Sequence, residues 1–240
     1  MTGTLINVTA ILAGSLLGLQ FGGLLREKTR DTIISGLGLF TILIGVQMFL
    51  ETRNALIVLG GLLIGGLAGE AVGLEGWMNN LGKRLEERFS GADSSTSAAQ
   101  ARFVRAFMTT TLLFLIGPMA ILGAIQDGLT GDYQLLAIKS IMDGFASFAF
   151  ASTLGWGVIF SAPMVLLYQG GISLMAGQAQ QVMSSAMTAE MTATGGVLLV
   201  GLAVSSLLGI KEIRVGNFLP GLVVSPLIVL ALSALSTWAG

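Results

Sequence analysis

Residues 54–74 read NALIVLGGLLIGGLAGEAVGL, and this stretch decides the fold. Nothing between Arg53 and Glu70 carries a charge. A helix on the surface of a soluble domain keeps a polar face, whereas this one is apolar all round. About 20 residues at helical rise cross a hydrocarbon core of roughly 30 Å. Strands of a membrane barrel alternate apolar and polar positions, and no such alternation occurs here. The stretch therefore predicts a transmembrane helix. Gly61, Gly65 and Gly69 recur at every fourth position, which puts them on one face where another backbone can approach closely.

The same pattern recurs on both sides. Runs at 4–25, 32–51, 54–74, 103–126, 134–154, 157–176, 187–209 and 217–238 predict an all-α membrane protein of about eight spans, forming one polytopic domain over 1–240. Only Leu154-Gly155-Trp156-Gly157 separates the fifth run from the sixth, so a tight re-entrant turn or one bent element is the alternative there. Composition agrees: 53% of residues are hydrophobic and 10% are charged, against about a quarter charged in a soluble domain. The first run has no basic segment before it and is too long for a signal core, so it is read as a span rather than a cleaved leader. Gly14, Gly18 and Gly22 repeat the four-residue glycine spacing in that span. Packing within the chain is one reading of the two stripes, and a homodimer seam is the other.

Between spans three and four lies the polar part of the chain. Trp77, Leu81, Leu85 and Phe89 fall at helical spacing, with Lys83, Arg84 and Arg88 on another face. That pattern predicts an interfacial amphipathic helix over 76–89, followed by a flexible linker at 90–99. Basic residues also follow span one (Arg26, Lys28, Arg30) and span seven (Lys211, Arg214), and Arg102 and Arg105 follow the linker. With eight spans these loops share one side, and Arg53 alone lies opposite. The positive-inside rule then makes the basic side cytoplasmic and puts both termini outside. Gly36–Gly69 and Gly195–Val224 both read as glycines, an apolar span, a short charged turn and a second span with small residues. Matching spans 1–3 to spans 6–8 shifts the register by an odd number of crossings, which would make an inverted repeat of the kind found in transporters.

Several chemistries are excluded. The chain has no Cys and no His, which removes disulfides, thiol and Ser-His catalysis, and the usual zinc and haem ligands. No metal site and no cofactor are expected. A net charge of −1 argues against nucleic-acid binding. What remains informative is polarity inside the spans, because each ionised group there costs about 2.5–3.5 kcal/mol near the centre. Span five carries Lys139, Ser140, Asp143 and Ser147. Lys139 and Asp143 are four apart and so can pair, on a stripe that must face protein or water. A structural ion pair and a substrate or ion site are the two readings. Span four holds Gly117-Pro118 and ends in Gln126-Asp127. A proline there removes a backbone donor and breaks or kinks the helix, which predicts irregular backbone around Gly117 to Gly123, and broken helices often line binding sites. Pro163, Pro220 and Pro226 repeat the theme. Gln169 in span six joins this candidate set. Asn7, Glu70, Glu190 and Asn217 are supporting candidates. For Glu70 and Glu190 a helix-end role is the alternative, the latter suiting the N-terminus of span seven. Asn7 and Asn217 suit hydrogen bonds to neighbouring helices.

A set of these residues carries a family resemblance: Gly3-Thr4 with Asn7, Gly69-Glu70, GPMAILGAIQDGLTGD at 117–132, Lys139-Ser140 with Asp143, and Asn217 with Leu219-Pro220. Through them the chain resembles domain-of-unknown-function family 554, the YdfK- and YqgA-like proteins. The resemblance implies a multi-pass bacterial inner-membrane protein of about this size and implies no substrate. From the residues themselves, the leading expectation is a secondary transporter of a small solute or cation. A non-transporting scaffold or sensor is the alternative, followed by an ion channel. An intramembrane aspartyl protease using Asp127 and Asp143 is disfavoured, because the Gly-x-Gly-Asp run of such enzymes is missing. The expected partners are the lipid bilayer and the solute, with a homo-oligomer left open.

Overall fold

A computed structural model describes residues 1–90, 97–178 and 183–238. Among the described residues, ten α-helices are longer than twelve residues: α1 Thr2–Gly22, α2 Glu27–Phe49, α3 Ala55–Val72, α4 Leu74–Ser90, α5 Ser97–Leu115, α6 Pro118–Thr130, α7 Gln134–Leu154, α8 Ser161–Leu174, α9 Ser185–Leu202 and α10 Gly221–Trp238. Short 3-10 turns at Trp156–Phe160 and Val215–Phe218 lead into α8 and α10, and a π turn at Ala203–Leu207 prolongs α9. No strand occurs among the described residues. Among the described residues, seven helical segments are long and apolar enough to cross a membrane, and α5 with α6, bent by 61°, count as an eighth when taken together as one broken span. This is an all-α, multi-pass membrane protein. Its surface agrees: Leu39, Phe40 and Leu43 on α2, and Leu59, Leu63 and Leu67 on α3, are each more than half exposed, a continuous apolar face that water would not tolerate.

Helix directions follow from the glycine contacts. Gly3 of α1 lies on Leu136 of α7, Gly14 on Gly144, Gly18 on Phe148 and Gly22 on Ser152, so α1 and α7 run parallel. Parallel neighbours need an odd number of crossings between them. The helices α2 and α3 supply two, so the bent α5–α6 pair completes the odd count. In the other half, Gly38 of α2 meets Leu208 and Gly45 meets Gly196 of α9. Gly61, Gly65 and Gly69 of α3 meet Ser225, Gly221 and Asn217. Both pairs run antiparallel, as spans two and seven, and three and eight, must if there are eight crossings. Both glycine stripes are therefore covered within the chain. These two pairs, together with α1 on α8, are the helix pairs that an inverted repeat would match, and all three are in contact.

Two of the expected elements differ in detail. Gly73 in the left-handed conformation (φ 72°) turns α3 sharply into α4. There Met78, Gly82 and Glu86 are buried, and Leu81 and Leu85 pack with Phe103, Val104 and Phe107 of α5. The apolar stripe of the interfacial helix is thus divided: its middle rests on protein, while Trp77 and Phe89 remain exposed beside Lys83, Arg84 and Arg88. The linker read at 90–99 falls mostly on 91–96, outside the described residues, and α5 begins at Ser97. Between spans five and six, Gly155 (φ 98°) makes the turn and separates two full segments, 134–154 and 156–174. That settles the open junction in favour of separate spans.

Candidate functional site

The α7 helix is amphipathic in the reverse sense of a soluble helix. Ile138, Ile141, Met142 and Phe145 are exposed on its outer face. Lys139, Ser140, Asp143 and Ser147 are buried on the inner face, with Lys139 and Asp143 each 7% exposed. The i, i+4 spacing brings Lys139 Nζ to 2.5 Å from Asp143 Oδ2. The Lys139 ammonium also lies 5.9 Å from the centre of the Phe114 ring, close enough for a cation–π contribution. Because Phe114 sits just before the break in span four, that break flanks the ion pair.

Two amides complete the cluster. Asn7 of α1 donates through Nδ2 to Asp143 Oδ2 at 3.0 Å and to Gln169 Oε1 of α8 at 3.3 Å. Asn7 therefore links three spans, bonding the Asp143 carboxylate of α7 on one side and Gln169 of α8 on the other. The close α1–α7 approach at Gly14 and Gly18 makes this convergence geometrically available. Asn7 and Gln169 are fully buried, yet Asn7 Oδ1 and Gln169 Nε2 have no hydrogen-bond partner in the protein. Thr4 Oγ1, one turn before Asn7, Ser173 Oγ, one turn after Gln169, and Ser147 Oγ, one turn after Asp143, are likewise buried and unpartnered. Such groups are rare in protein interiors, and each costs about 1–3 kcal/mol when left unsatisfied.

The remaining buried or cap-like carboxylates behave differently. Glu190 lies inside α9, 1% exposed, and turns towards the α2–α3 connection. It accepts from Arg53 N at 2.7 Å, Asn54 N at 3.0 Å and Thr52 Oγ1 at 2.6 Å. It therefore secures the turn before α3, whose cap is Asn54, accepting from Leu56 N at 3.1 Å, while the cap of its own helix is Ser184, which accepts from Met187 N. Asp127, 2% exposed, accepts from Gly3 N at 3.0 Å and Thr4 N at 3.4 Å, capping the start of α1 from α6. At the opposite end of the bundle, Glu70 pairs with Arg214 at 2.8 Å and accepts from Asn217 Nδ2 at 2.5 Å. Asn217 Oδ1 accepts from Glu75 N at 2.8 Å, and the Glu75 carboxylate accepts from Gly216 N at 2.6 Å. Burial pushes the Glu75 carboxyl above its usual range, opposed by the Gly216 N–H and by Arg214.

The sequence-derived candidates thus divide by location. Lys139, Asp143, Asn7 and Gln169 are brought together by direct bonds. Ser147 faces inward beside them, and Ser140 donates to the Leu136 carbonyl of its own helix at 2.6 Å. Asp127 lies about one turn from the cluster along α1. Gln126 is exposed and turned away from it. Pro118 forms the first turn of α6; the break itself is at Gly117, whose φ of 152° and ψ of 143° suit only glycine. Helix resumes directly at Pro118, so irregular backbone does not extend to Gly123. Glu70, Glu190 and Asn217 bind other elements together, away from the cluster. Sequence reasoning passed over Thr4 and Ser173. Their positions one turn from Asn7 and Gln169 on the same faces were the available signal.

A helical bundle that spans the membrane several times and buries an ion pair among amides defines the class: a polytopic integral membrane protein with a polar centre. The chain belongs to the family described as "Protein of unknown function (DUF554)", whose model matches residues 2–230. It is 29% identical over 238 residues to the uncharacterized membrane protein YdfK of Bacillus subtilis (strain 168), covering 98% of each chain. It is 30% identical over 223 residues to the uncharacterized protein YqgA of Escherichia coli (strain K12), covering 93% of this chain and 94% of the relative. No solved structure matches the chain.

Proposed function

We propose that this protein is a secondary transporter of a small solute or ion, and that the Lys139–Asp143 pair with Asn7 and Gln169 is its site in the membrane. One observation carries the reading. Around this pair, buried donors and acceptors of both kinds remain without protein partners, whereas the carboxylate of Glu190 is held by three donors. A pair retained only to lock the bundle gains from complete saturation and loses by partial satisfaction. In the proposed cycle, Asp143 binds the cation or a proton, and Lys139 is its counter-charge when the site is empty. Binding loosens the ion pair, and that loosening biases the change in access. The sidedness belongs to the same proposal: basic loops in the cytoplasm, termini outside, in a bacterial inner membrane.

Proteoliposome flux tests it. Lys139→Met with Asp143→Leu removes both charges together, leaves no orphaned ion, and should fold. Under the transport reading this double variant loses all ion or solute movement seen with the wild type. A folded double variant with full flux would refute the assignment. A wild-type protein that moves nothing across a broad panel would favour a membrane scaffold or sensor instead.

A further inference from the structure

The polar groups around the ion pair are not distributed evenly along the bundle. Towards the end where α1 begins, Asn7 is followed by Thr4 and then by the Asp127 carboxylate on the backbone of Gly3 and Thr4. On the facing helix, Gln169 is followed by Ser173, whose carbonyl packs against Gly128, next to Asp127. Thr4, Asn7, Asp127, Gln169 and Ser173 are all at most 4% exposed. Together they form a file of buried polar side chains from the helix end to Asp143. Asn7 is five residues into α1, so the file is about 8–10 Å long at helical rise.

In the other direction the file stops. One turn beyond Asn7 on α1 lies Ile11, and one turn from Gln169 on α8 lies Val165. These two pack with Phe114 and Ala162 into a single apolar cluster, each member at most 1% exposed. Ser15, buried with an unpartnered hydroxyl, sits one turn past Ile11 on α1. Hence on α1 an apolar layer one residue thick separates the polar file from Ser15 beyond it. Crossing such a layer costs an ion its hydration with no ligand in return.

We infer that the file Asp127–Thr4–Ser173–Gln169–Asn7 is the path by which a small cation reaches Asp143. The layer of Ile11, Phe114, Ala162 and Val165 is the seal that closes the site from the opposite end in this conformation. The inference rests on the transport reading above and adds to it a direction, a set of path residues and a gate. Lys139 and Asn7 bond Asp143 directly, at 2.5 and 3.0 Å, so an entering ligand replaces these contacts one at a time, which suits a proton or a monovalent cation stripped of water.

The chain contains no cysteine, so single replacements report access without background. Thr4→Cys, Ser173→Cys and Ser15→Cys are near-isosteric and are made singly. Each is exposed to silver ion, a thiol-reactive monovalent cation, from one face of sealed membrane vesicles of either orientation. Protection is read as lost maleimide labelling after denaturation. From the face where α1 begins, Thr4→Cys and Ser173→Cys should react at least tenfold faster than Ser15→Cys. Adding Ile11→Ala to Ser15→Cys should make it reactive from that face. Equal reactivity of all three sites, reaction of the first two only from the opposite face, or no reaction at either of them overturns the inference. Flux of the charge-free double variant is read separately. The access pattern without loss of flux would leave the path standing and remove the transport site. Loss of flux without the pattern would remove only the path.

Discussion

Substituting Gly14 by alanine should weaken the protein by packing alone, and substituting Gly36 by alanine should strengthen it. A Cβ on Gly14 would lie 3.0 Å from the carbonyl carbon of Gly144 and nearer still to its oxygen. Carbon atoms are in optimal contact at about 3.5–4.0 Å, so α1 and α7 must part by about 1 Å. Overpacking of this kind costs about 1–3 kcal/mol, and the greater helix propensity of alanine returns up to about 1 kcal/mol. The net expectation is a loss of roughly 1–2 kcal/mol. The same displacement stretches the Asn7–Asp143 hydrogen bond, now 3.0 Å, past the limit of a useful bond. A Cβ on Gly36, within α2, would meet nothing within 4 Å. There only propensity acts, and the gain should be up to about 1 kcal/mol. Unfolding of detergent-solubilised protein, followed by thermal melting at fixed detergent, reads both changes. If Gly14→Ala melts at or above the wild type, or if the two variants shift in the same direction, close backbone packing does not hold α1 to α7.

Other positions give further tests. Glu190→Gln should cost about 2–4 kcal/mol by weakening hydrogen bonds to a charged acceptor, seen as a lower melting temperature, while the folded fraction keeps whatever flux the wild type has. Gly117→Ala should destabilise by about 1–3 kcal/mol because its backbone conformation is unfavourable for an L side chain, whereas Pro118→Ala should keep the 61° bend, measurable as an unchanged spin-label distance across the break. Glu75 has a folded-state pKa raised above 4.5 by burial. The folded protein therefore holds that proton more tightly, so this contribution to stability is present at low pH and is lost as pH rises from about the ordinary value through the raised one. The melting-temperature difference between wild type and Glu75→Gln should change across that window, and a flat difference would contradict the burial argument.

The eight-crossing bundle was legible in the sequence because membrane insertion is itself a one-dimensional signal: length and polarity of a run suffice. The break in span four was legible for a related reason, since Gly117-Pro118 is a local feature. The reading placed irregularity as far as Gly123, but proline at the first helical turn is favourable rather than disruptive, and helix resumes at once. The inward stripe of α7 was also legible, from the cost of exposing Lys139 and Asp143 to lipid. Whether the glycine stripes pack in the chain or between chains was not, because spacing says that a backbone can approach and not which one. The division of α4 was hidden for the same reason. Its apolar stripe suits a lipid surface or the side of α5, and only the tertiary contacts choose.

Polar residues near span ends show most clearly where one-dimensional reading stops. Glu190 near the start of α9 suits its own helix dipole, but it points across to the α2–α3 connection, where three donors meet it. Asp127 was weighed as an ion ligand, and in three dimensions it caps α1. Both carboxylates accept from backbone N–H groups at or beside the start of another helix, and Asp127 also pairs with the Met1 ammonium at 3.2 Å. Asp143, nine residues into α7, accepts from side chains instead of from a helix start. Its charge must be balanced by a side chain or by something that enters, and Lys139 and Asn7 are what the chain provides. That difference in depth separates a charge that secures the fold from one whose balance can be exchanged.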